Sequence, residues 1–564
     1  MKEIILKHVL KNALDFNGTA NAKAVLGLIL KEKAELKNDV PKLLKEIEKT
    51  VQEVQKLSAE KITEKLQTIA PEMLKEKKIT VEGPLKALPN AKKGNFVVRI
   101  APSPSGALHI GHAYGASLNF EYAKMYNGKL ILRIEDTNPE NIYPTAYTLI
   151  ENDTRWLTDN NIAAVVVQSS RLGIYYDHAE KLVEIGKAYI CTCDADAWRV
   201  LKNDCQACPC RNQDTKESLL RYAKMFNGYA EGEAVVRLKT DIKDKNPAMR
   251  DFAIMRIVKH VHPKTKKEHQ VWPLMVFAVA VDDHELGITH VLNGKDHLDN
   301  ATKEKIIMSY LGWKAPEYQH WGLINFEGFA LSSSATKLAI EQKEYSGWDD
   351  IRLPFLPALR RRGYQPETFR HFALELGLSL TDKKVSKEEF WKMINAFNKD
   401  IVENIADRYF FVDNPVEISI KNFHSKEVQL DLHPTFPERG KRKFTVNSLF
   451  TIAMSDFKRL GEGYVHRLMD CGNFELRNNK FQYVSDSYDQ YKNADNKGQI
   501  IHWLPTQKTI AVEVLMDSGI TITGLGEEAM KNLRQGDIIQ LERRYFARLD
   551  KKEKNKLTFW YLHK

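Results

Sequence analysis

One segment near residue 100 restricts the fold of this chain more than any other. Phe96–Ile100 is a short, largely β-branched run that predicts a strand, and a loop rich in proline, serine and glycine follows it directly. A helical pattern then begins near His109. A strand that passes through a tight loop into a helix is the repeating unit of doubly wound α/β domains, and the unpaired N–H groups at such a helix start bind phosphates.

The predicted helix start carries two histidines. His109 and His112 are three residues apart and therefore share one helix face, from which both can donate hydrogen bonds to a triphosphate. Gly111 lies between them and, lacking a side chain, lets a flat base approach the backbone. A His-x-Gly-His pattern alone is also compatible with a structural role. With Arg99-Ile-Ala-Pro-Ser-Pro-Ser-Gly106 in front of it, nucleotide binding becomes the favoured interpretation.

The composition is that of a folded protein with several domains. The chain has 564 residues, of which 43% are hydrophobic and 28% charged, and this excludes a disordered or coiled-coil chain. Its most apolar stretch, Trp272–Val281, is far shorter than the roughly 18 residues of a membrane span, and the N-terminus lacks a signal-peptide pattern. We therefore expect a cytoplasmic protein without a membrane partner. The net charge of +10 is compatible with a polyanionic partner.

The first region of the chain differs from the rest. Residues 1–93 contain no arginine, and apolar residues recur at helical spacing from Leu43 to Ile62. This pattern predicts a lysine-rich helical domain whose surface is either simply solvated or docks a partner. The prolines within Val81–Asn90 predict a linker.

Three further regions are predicted after this one. Residues 94–325 alternate strands with helices and contain an insertion at about 185–285, whereas helical patterns dominate residues 326–408. Residues 409–564 form short alternating segments typical of one or two β-barrels. The clearest predicted strands in these regions are Lys129–Ile134, Ile288–Leu292, Val416–Ile420, Lys443–Val446, Lys480–Val484, Ile510–Leu515 and Asp537–Leu541.

Several motifs together resemble a known family. The segments that carry the resemblance are Arg99–Ala113, Leu132–Asn138, Val281–Val291, Gly294–His297 and Tyr345–Pro354. They are similar, in order and spacing, to class I aminoacyl-tRNA synthetases of the glutamyl/glutaminyl type, and the whole chain is most similar to archaeal-type glutamyl-tRNA synthetases. The resemblance implies an α/β fold with a Rossmann-like catalytic domain, a helical N-terminal extension, an acceptor-binding insertion and C-terminal all-β barrels.

The same resemblance implies a two-step ligase reaction. Glutamate attacks the ATP α-phosphate to give glutamyl-adenylate and pyrophosphate, and the terminal ribose of tRNA(Glu) then attacks the adenylate. Archaeal-type members also charge tRNA(Gln) with glutamate, so both tRNAs are expected partners. ATP and Mg²⁺ are expected as well, with the metal carried mostly by ATP. Such chemistry depends on positioning and charge stabilisation, so a protein nucleophile is not required.

The resemblance also assigns roles to individual residues. The catalytic set would be His109, Gly111, His112, Ser332, Ser334 and Lys337. Residues expected to bind ATP are Pro102, Ser103, Pro104, Gly106 and Asp296. The amino acid would contact Arg99, Ala101, Ser103, Glu135, Met275 and Asn293. In this set Glu135 would hold the α-amino group, unless Glu135 and Asp136 are only a turn or helix cap.

Two positions depart from the family pattern. The mobile Lys-Met-Ser-Lys-Ser loop is replaced by Ala330-Leu-Ser-Ser-Ser334, so both lysines are missing. Lys337 would supply a charge if the loop turns helical, and otherwise it is a surface residue. Asn293 stands where the family usually has an arginine that pairs with the glutamate side chain. A buried carboxylate without a full counter-charge is costly, so Asn293 weakens the case for glutamate.

These departures leave four hypotheses for the function. Arg99 alone holds the glutamate carboxylate, or the preference has shifted toward a neutral side chain, glutamine first. A third hypothesis is a tRNA-binding protein that has lost catalysis, suggested by the altered loop at Ala330–Ser334. The fourth, a small-molecule nucleotidyltransferase, is disfavoured by the β-rich C-terminal region.

Five of the six cysteines fall within twenty residues. Cys191-Thr-Cys193 and Cys208-Pro-Cys210 form two Cys-x-Cys pairs, and Cys205 lies just before the second pair. In a protein expected to be cytoplasmic, this clustering favours a tetrahedral zinc site made by the four paired cysteines. Free or vestigial thiols are the alternative, because Cys-x-Cys is a weaker signal than Cys-x-x-Cys.

Two basic segments are candidates for nucleic-acid contact. Arg360-Arg-Arg362 would bind tRNA phosphates, or would simply be a solvated basic face. Glu542–Arg548 interleaves arginines with aromatic residues on a predicted barrel strand. Its aromatic rings would stack on unpaired bases, or would point into the barrel as in an ordinary strand.

Overall fold

The computed structural model describes residues 2–15, 20–32, 40–70 and 85–564. The chain divides into two compact units, one within residues 1–84 and the other within residues 85–564. Part of the predicted linker, residues 81–84, lies outside the described residues. The division of the chain into four functional domains stays a prediction.

The first unit is helical, as its apolar periodicity predicts. In α3 the buried residues Leu43, Ile47, Val51 and Val54 lie on one face, which packs into a single apolar core. The Ser58 hydroxyl accepts a hydrogen bond from the Lys61 N–H and caps α4. The described helices of this unit are α1 (Lys2–Asp15), α2 (Ala22–Glu32), α3 (Val40–Val54) and α4 (Ala59–Ile69).

A parallel sheet organises the start of the second unit. Strands β1 (Val97–Ile100), β2 (Lys129–Ile134) and β3 (Ala164–Val167) pair in that order, and helix α5 (Ile110–Met125) connects the first two. The chain returns to the edge of β1, where the Thr289 N–H donates to the Val97 carbonyl at 3.0 Å. This arrangement confirms the doubly wound α/β prediction.

The remaining strands of this region lie beside β1 or in the insertion. The insertion is a four-stranded antiparallel sheet in sequential order, with Trp272 buried at its base. The elements from residue 146 to residue 321 are α6 (Ala146–Leu157), α7 (Leu172–Glu184), β4 (Ala188–Cys191), α8 (Ala195–Asn203), α9 (Thr215–Met225), β5 (Val235–Leu238), β6 (Ala253–Ile257), β7 (Val271–Pro273), α10 (Met275–Glu285), β8 (His290–Gly294), α11 (Leu298–Tyr310) and β9 (Glu317–Trp321).

The strand predicted at Ile288–Leu292 begins two residues later, at His290. Helix α10 ends in a turn in which Gly287 has φ +65°, and the Ile288 N–H donates to the Asp283 carbonyl. The chain therefore finishes the helix cap before it enters β8. Ile288 and Thr289 are β-branched like strand residues, so sequence periodicity does not distinguish these turn residues from the strand that follows.

The region after β9 is helical, with one exception. Strands β10 (Ile324–Glu327) and β11 (Lys383–Ser386) pair in parallel, and the sequence did not indicate β11 because it has four residues, of which only Val385 is buried. The helices are α12 (Ser333–Glu341), α13 (Leu356–Arg362), α14 (Pro366–Leu376) and α15 (Lys387–Val402).

The C-terminal region is built on β-strands, as predicted, with two short helices, Met454–Phe457 and Tyr488–Lys492, between them. It consists of two seven-stranded sheets and one two-stranded pair, and buried aromatic residues such as Phe410 and Trp503 fill the core between the first strands. The strands are β12 (Asp407–Tyr409), β13 (Phe411–Asp413), β14 (Pro415–Lys421), β15 (Lys426–Asp431), β16 (Lys441–Val446), β17 (Leu449–Ala453), β18 (Val465–Leu468), β19 (Gly472–Arg477), β20 (Lys480–Ser485), β21 (Lys497–Ile501), β22 (Leu504–Pro505), β23 (Thr509–Leu515), β24 (Thr521–Glu527), β25 (Ile538–Leu541), β26 (Tyr545–Lys552) and β27 (Lys556–His563).

Among the described helices of both units, none has the length and apolar character needed to cross a membrane.

Replacing Gly128 with alanine should destabilise the second unit. A Cβ at Gly128 would lie 2.3 Å from the Phe96 carbonyl oxygen, which accepts the first hydrogen bond between β1 and β2. Because a backbone atom cannot move aside as a side-chain tip does, we expect the free energy of unfolding to fall by about 1–3 kcal/mol, measured by urea unfolding. The control is Gly173→Ala in α7, where nothing lies within 4 Å of the added Cβ. Equal losses in both variants would contradict this explanation.

Candidate active site

The loop at the carboxyl end of β1 is fixed by its neighbours. The Pro102 carbonyl accepts a hydrogen bond from the Glu135 N–H at 3.0 Å, and the Pro104 carbonyl accepts one from the Tyr143 N–H at 2.8 Å. Gly106 lies so close to Trp348 that an added Cβ would be 2.5 Å from the indole ring. The loop therefore holds one conformation and delivers the chain to the start of α5.

Two neutral histidines form the start of α5. The Gly111 N–H donates to His109 Nδ1 at 3.0 Å, and the His109 N–H donates to His112 Nδ1 at 3.2 Å. Desolvation disfavours the charged rings and lowers the pKa of His109 to about 2 and that of His112 to about 4, and the His112 ring adds to the effect at His109. Because both Nδ1 atoms accept, each ring proton is on Nε2, and neither Nε2 has a hydrogen-bond partner within the described residues.

A cavity of about 380 Å³ opens beside this helix start. It brings together residues from β1, α5, α10, β8, α11 and β9 and from the loops that follow β1 and β2. The predicted site residues that line it are Arg99, Ala101, Pro102, Ser103, Gly111, His112, Glu135, Met275 and Asn293. The predicted residues outside its lining are Pro104, Gly106, His109, Asp296, Ser332, Ser334 and Lys337.

A buried ionic network forms the floor of the cavity. Asp283 accepts from Arg99 Nε at 3.2 Å and also from Arg133 Nη1, while Arg133 Nη2 donates to Glu135 Oε1 at 2.9 Å. Burial alone would raise the pKa of Asp283, but the two arginines outweigh it and hold the pKa below its usual range. Two cations and two carboxylates therefore balance one another here.

Asn293 has a defined orientation at the end of β8. The His320 Nδ1–H donates to Asn293 Oδ1 at 2.7 Å, and burial lowers the pKa of His320, which favours its neutral form. The amide oxygen of Asn293 is thus engaged. Its Nδ2 group has no partner in the described part of the chain and is the group that Asn293 can offer to a ligand.

The acid next to Glu135 has a structural environment. Asp136 is buried and accepts from the Tyr147 hydroxyl at 2.7 Å and from the Ser169 N–H at 2.7 Å. His262 lies 3.4 Å from its carboxylate. Glu135 points instead to Arg133 and the cavity. The two adjacent acids, which look alike in the sequence, therefore have different surroundings: Asp136 is held within the protein, and Glu135 faces the cavity.

Comparison with known proteins identifies the family. Residues 95–404 match the family described as tRNA synthetases class I (E and Q), catalytic domain, and residues 406–490 and 500–550 match two anti-codon binding domains of the same group. The chain belongs to the class I tRNA synthetases of the E and Q group. It is 43% identical to the glutamate–tRNA ligase of Methanobrevibacter smithii, and 41% identical to those of Methanocaldococcus jannaschii and Pyrococcus furiosus, over 100% of both chains in each comparison.

In this synthetase the altered signature loop leads directly into a helix. The Ser332 hydroxyl accepts from the Ala335 N–H and caps α12, on which Lys337 lies 3.8 Å from Glu341. A Cβ at Gly106 would lie 3.1 Å from the Ser333 Cβ, so the signature segment packs against the loop after β1. The segment that carries Lys337 is helical, as the sequence analysis required for Lys337 to supply a charge. The role of Lys337 at the triphosphate stays a prediction.

The four paired cysteines of the synthetase insertion come together. The Sγ atoms of Cys191, Cys193, Cys208 and Cys210 all lie within 4.8 Å of one another. Two of the separations are 3.9 Å, between Cys191 and Cys208, and 3.7 Å, between Cys193 and Cys210. Cys205 is outside this group, as the sequence suggested.

Most of the predicted basic surface is engaged within the protein. Arg361 binds Asp550 and Asp349, and Arg362 is buried and donates to the carbonyls of Tyr561 and Leu562. Arg360 is also engaged, because it donates to the Asn152 carbonyl at 3.4 Å and lies 3.7 Å from the buried Asp153, and its side chain is 38% exposed against 36% for Arg361. Phosphate contact by Arg360 or Arg361 stays a prediction.

The proposed stacking strand at Glu542–Arg548 is wrong in two respects. Residues 542–544 form a turn, and β26 begins only at Tyr545. Tyr545 and Phe546 are both buried and cannot stack on bases, because their rings pack against neighbouring barrel residues. The inward-pointing alternative is therefore correct for Tyr545, which lies in the barrel core, whereas Phe546 lies on the opposite face of β26 and packs against Leu356, Leu359 and Tyr364 of the helical region.

Sequence reasoning missed several residues of the cavity. Glu304, Trp321, Asn119 and Gly115 line it, and Asp283 neutralises its arginines from below. Asp283 lies in the Val281–Val291 motif, so a buried acid among apolar residues was an available signal. Glu304 and Asn119 lie on helices between charged or apolar neighbours, and no local pattern sets them apart.

Asp283→Asn should be strongly destabilising. The change preserves the size of the side chain but leaves Arg99 and Arg133 in a buried site with one carboxylate between them. We expect the free energy of unfolding to fall by about 3–5 kcal/mol in chemical denaturation. The matched control on the same helix is Glu285→Gln, which breaks only a half-exposed contact with His178 and should cost less than about 1 kcal/mol. Similar losses in the two variants would show that the network is not held by charge.

Proposed function

We propose that this chain is a glutamate–tRNA ligase that activates glutamate with ATP and transfers it to tRNA(Glu). The observation that supports the proposal most strongly is full-length identity of 41–43% to archaeal glutamate–tRNA ligases. The same identity gives no support to a small-molecule nucleotidyltransferase, a glutamine-first enzyme or a non-catalytic tRNA binder. By the archaeal-type resemblance, tRNA(Gln) is included as a second acceptor.

The helix start supplies the groups for ATP. His109 and His112 are neutral and each presents an Nε2–H donor, while the first N–H groups of α5 add the positive end of the helix dipole. Donors fixed before the reaction stabilise charge that develops on the triphosphate when its α-phosphate is attacked. Mg²⁺ enters with ATP, since this ion binds mainly through phosphates and retained water.

The floor of the cavity supplies the groups for glutamate. Glu135 lines the cavity as an acceptor for the α-amino group, and Arg99 lines it with Nη1 not used by Asp283. Asn293 offers its Nδ2 group to the side-chain carboxylate. The residues of this cavity position the α-carboxylate of glutamate against ATP, and none of them is required to act as a nucleophile.

The purified full-length chain should attach labelled glutamate to tRNA(Glu) and to tRNA(Gln) in the presence of ATP and Mg²⁺. Replacing His112 with alanine removes one of the two fixed donors and should lower kcat by about 100-fold or more. His260→Ala, at an exposed position in the insertion, should leave kcat unchanged. Charging of glutamine in place of glutamate would overturn the proposal, and charging of tRNA(Glu) alone would remove only the second acceptor.

We also propose that Cys191, Cys193, Cys208 and Cys210 hold a structural zinc ion. Four thiolates at about 2.3 Å from a tetrahedral zinc lie about 3.8 Å from one another. The separations of 3.9 Å and 3.7 Å agree with that value. Three of the four residues are buried, and together they form a closed donor set without an open position, which suits a structural rather than a catalytic ion.

Metal analysis of the purified protein should give one zinc per chain. Cys193→Ser and Cys210→Ser each remove a ligand and should abolish the zinc content and lower the melting temperature of the protein. Cys205→Ser changes the neighbouring cysteine outside the cluster and should preserve both. A wild-type protein that contains no zinc after expression in zinc-supplemented medium, and whose melting temperature does not respond to added zinc, would refute the site.

A further inference from the structure

One acidic side chain of the amino acid cavity has no part in the roles assigned above. Glu304 lies on α11, is 4% exposed, and lines the same cavity as Arg99, Asn293 and Glu135. It forms no ion pair within the described residues. A carboxyl group that faces a ligand cavity without a cationic partner is an unusual choice in a site for an anionic amino acid, because like charges repel.

The charged groups around Glu304 are already balanced without it. Asp283 on α10, Arg99 on β1 and Arg133 on β2 act on its carboxyl, and Tyr318 on β9 lies beside it. The remaining titratable groups that line the cavity are Glu135, His112 and His297. Since Arg99 and Arg133 are compensated by Asp283 and Glu135, an ionised Glu304 would give the cavity floor a net negative charge.

Burial therefore works against the ionised form. It raises the pKa of Glu304 to about 7, Asp283 adds to the shift, and Arg99, Tyr318 and Arg133 only partly oppose it. Near neutral pH the group exists in two forms that differ in hydrogen bonding. The protonated form has an O–H donor, whereas the ionised form only accepts.

We propose that Glu304 is a specificity-determining residue that reads the side chain of the bound amino acid through its own protonation state. The protonated form donates an O–H hydrogen bond to the carboxylate of glutamate. The ionised form repels that carboxylate and accepts a hydrogen bond from the amide of glutamine. This inference rests on the proposed function and names how the same cavity recognises its substrate.

The proposal also accounts for a glutamate site with a neutral residue at position 293. Asn293 presents an amide N–H to the cavity because His320 occupies its oxygen. A protonated Glu304 adds an O–H donor from α11, so two neutral donors face the substrate carboxylate alongside Arg99. Hydrogen bonds to a charged acceptor are about twice as strong as hydrogen bonds between neutral groups. This strength offsets the absence of an arginine at position 293.

Steady-state ATP–pyrophosphate exchange with tRNA present, run separately with glutamate and glutamine from pH 6 to pH 8, tests the inference on the wild-type chain. If only the protonated form binds glutamate, KM for glutamate rises about tenfold across this range, as a single group with a pKa of about 7 requires. The KM for glutamine stays level or falls. A KM for glutamate that is level across the range overturns the inference.

Glu304→Gln makes the neutral, donating state permanent. We expect its KM for glutamate to be independent of pH throughout the range. Asp299→Asn removes an exposed carboxylate from the same helix and should keep the wild-type pH dependence. If Glu304→Gln retains the tenfold rise, another group titrates and the inference fails.

Two results distinguish a failure of the ligase assignment from a failure of the role of Glu304. A chain that activates glutamate at no pH contradicts the proposed function and the inference together. A chain that activates glutamate with a KM independent of pH leaves the ligase assignment intact and removes only the role of Glu304. The wild-type profile alone decides between these outcomes, so the test does not depend on the folding of any variant.

Discussion

The candidate active site of this synthetase depends on one buried carboxylate shared by two buried arginines. Asp283 from α10 holds Arg99 of β1 and Arg133 of β2, and Arg133 in turn orients Glu135. Removing any one charge would leave another uncompensated in the interior, so the three elements cannot shift independently. The end of β1, the acid after β2 and the last turn of α10 meet at this contact.

The network also determines the electrostatic character of the site. Because its four charges balance, the cavity floor offers little net positive charge to two anionic substrates. The protein compensates with oriented neutral donors. In the proposed roles, two neutral imidazoles and the positive end of the α5 dipole face the phosphates, and the Asn293 amide faces the amino acid. Donors of this kind are effective in a partly desolvated cleft because they need no reorganisation when charge develops.

The sequence was sufficient to predict features that are determined by residues close together in the chain. The strand, loop and helix around Arg99–Ala113, the paired cysteines and five of the sixteen C-terminal strands follow from periodicity and spacing over a few residues. Features that join distant parts of the chain were not accessible. Arg99 and its partner Asp283 are 184 residues apart, and Arg361 and Asp550 are 189 apart. Hence arginines that the sequence presents as available for ligands are in fact paired inside the protein, and Tyr545 and Phe546 are core residues.

The neutral side chain at position 293 is best understood from the same balance. An arginine there would bring a third cation into a cavity whose existing arginines are already paired, and in the empty enzyme that cation would need its own counter-ion. With Asn293 the empty cavity is close to neutrality, because its four ionic groups cancel and His320 is favoured in its neutral form. The negative charge of the glutamate side chain then has to be met at the moment of binding. Groups that donate hydrogen bonds without a permanent charge suit both the empty cavity and the cavity with glutamate bound. With such groups, selectivity depends on protonation and amide orientation rather than on a fixed ion pair.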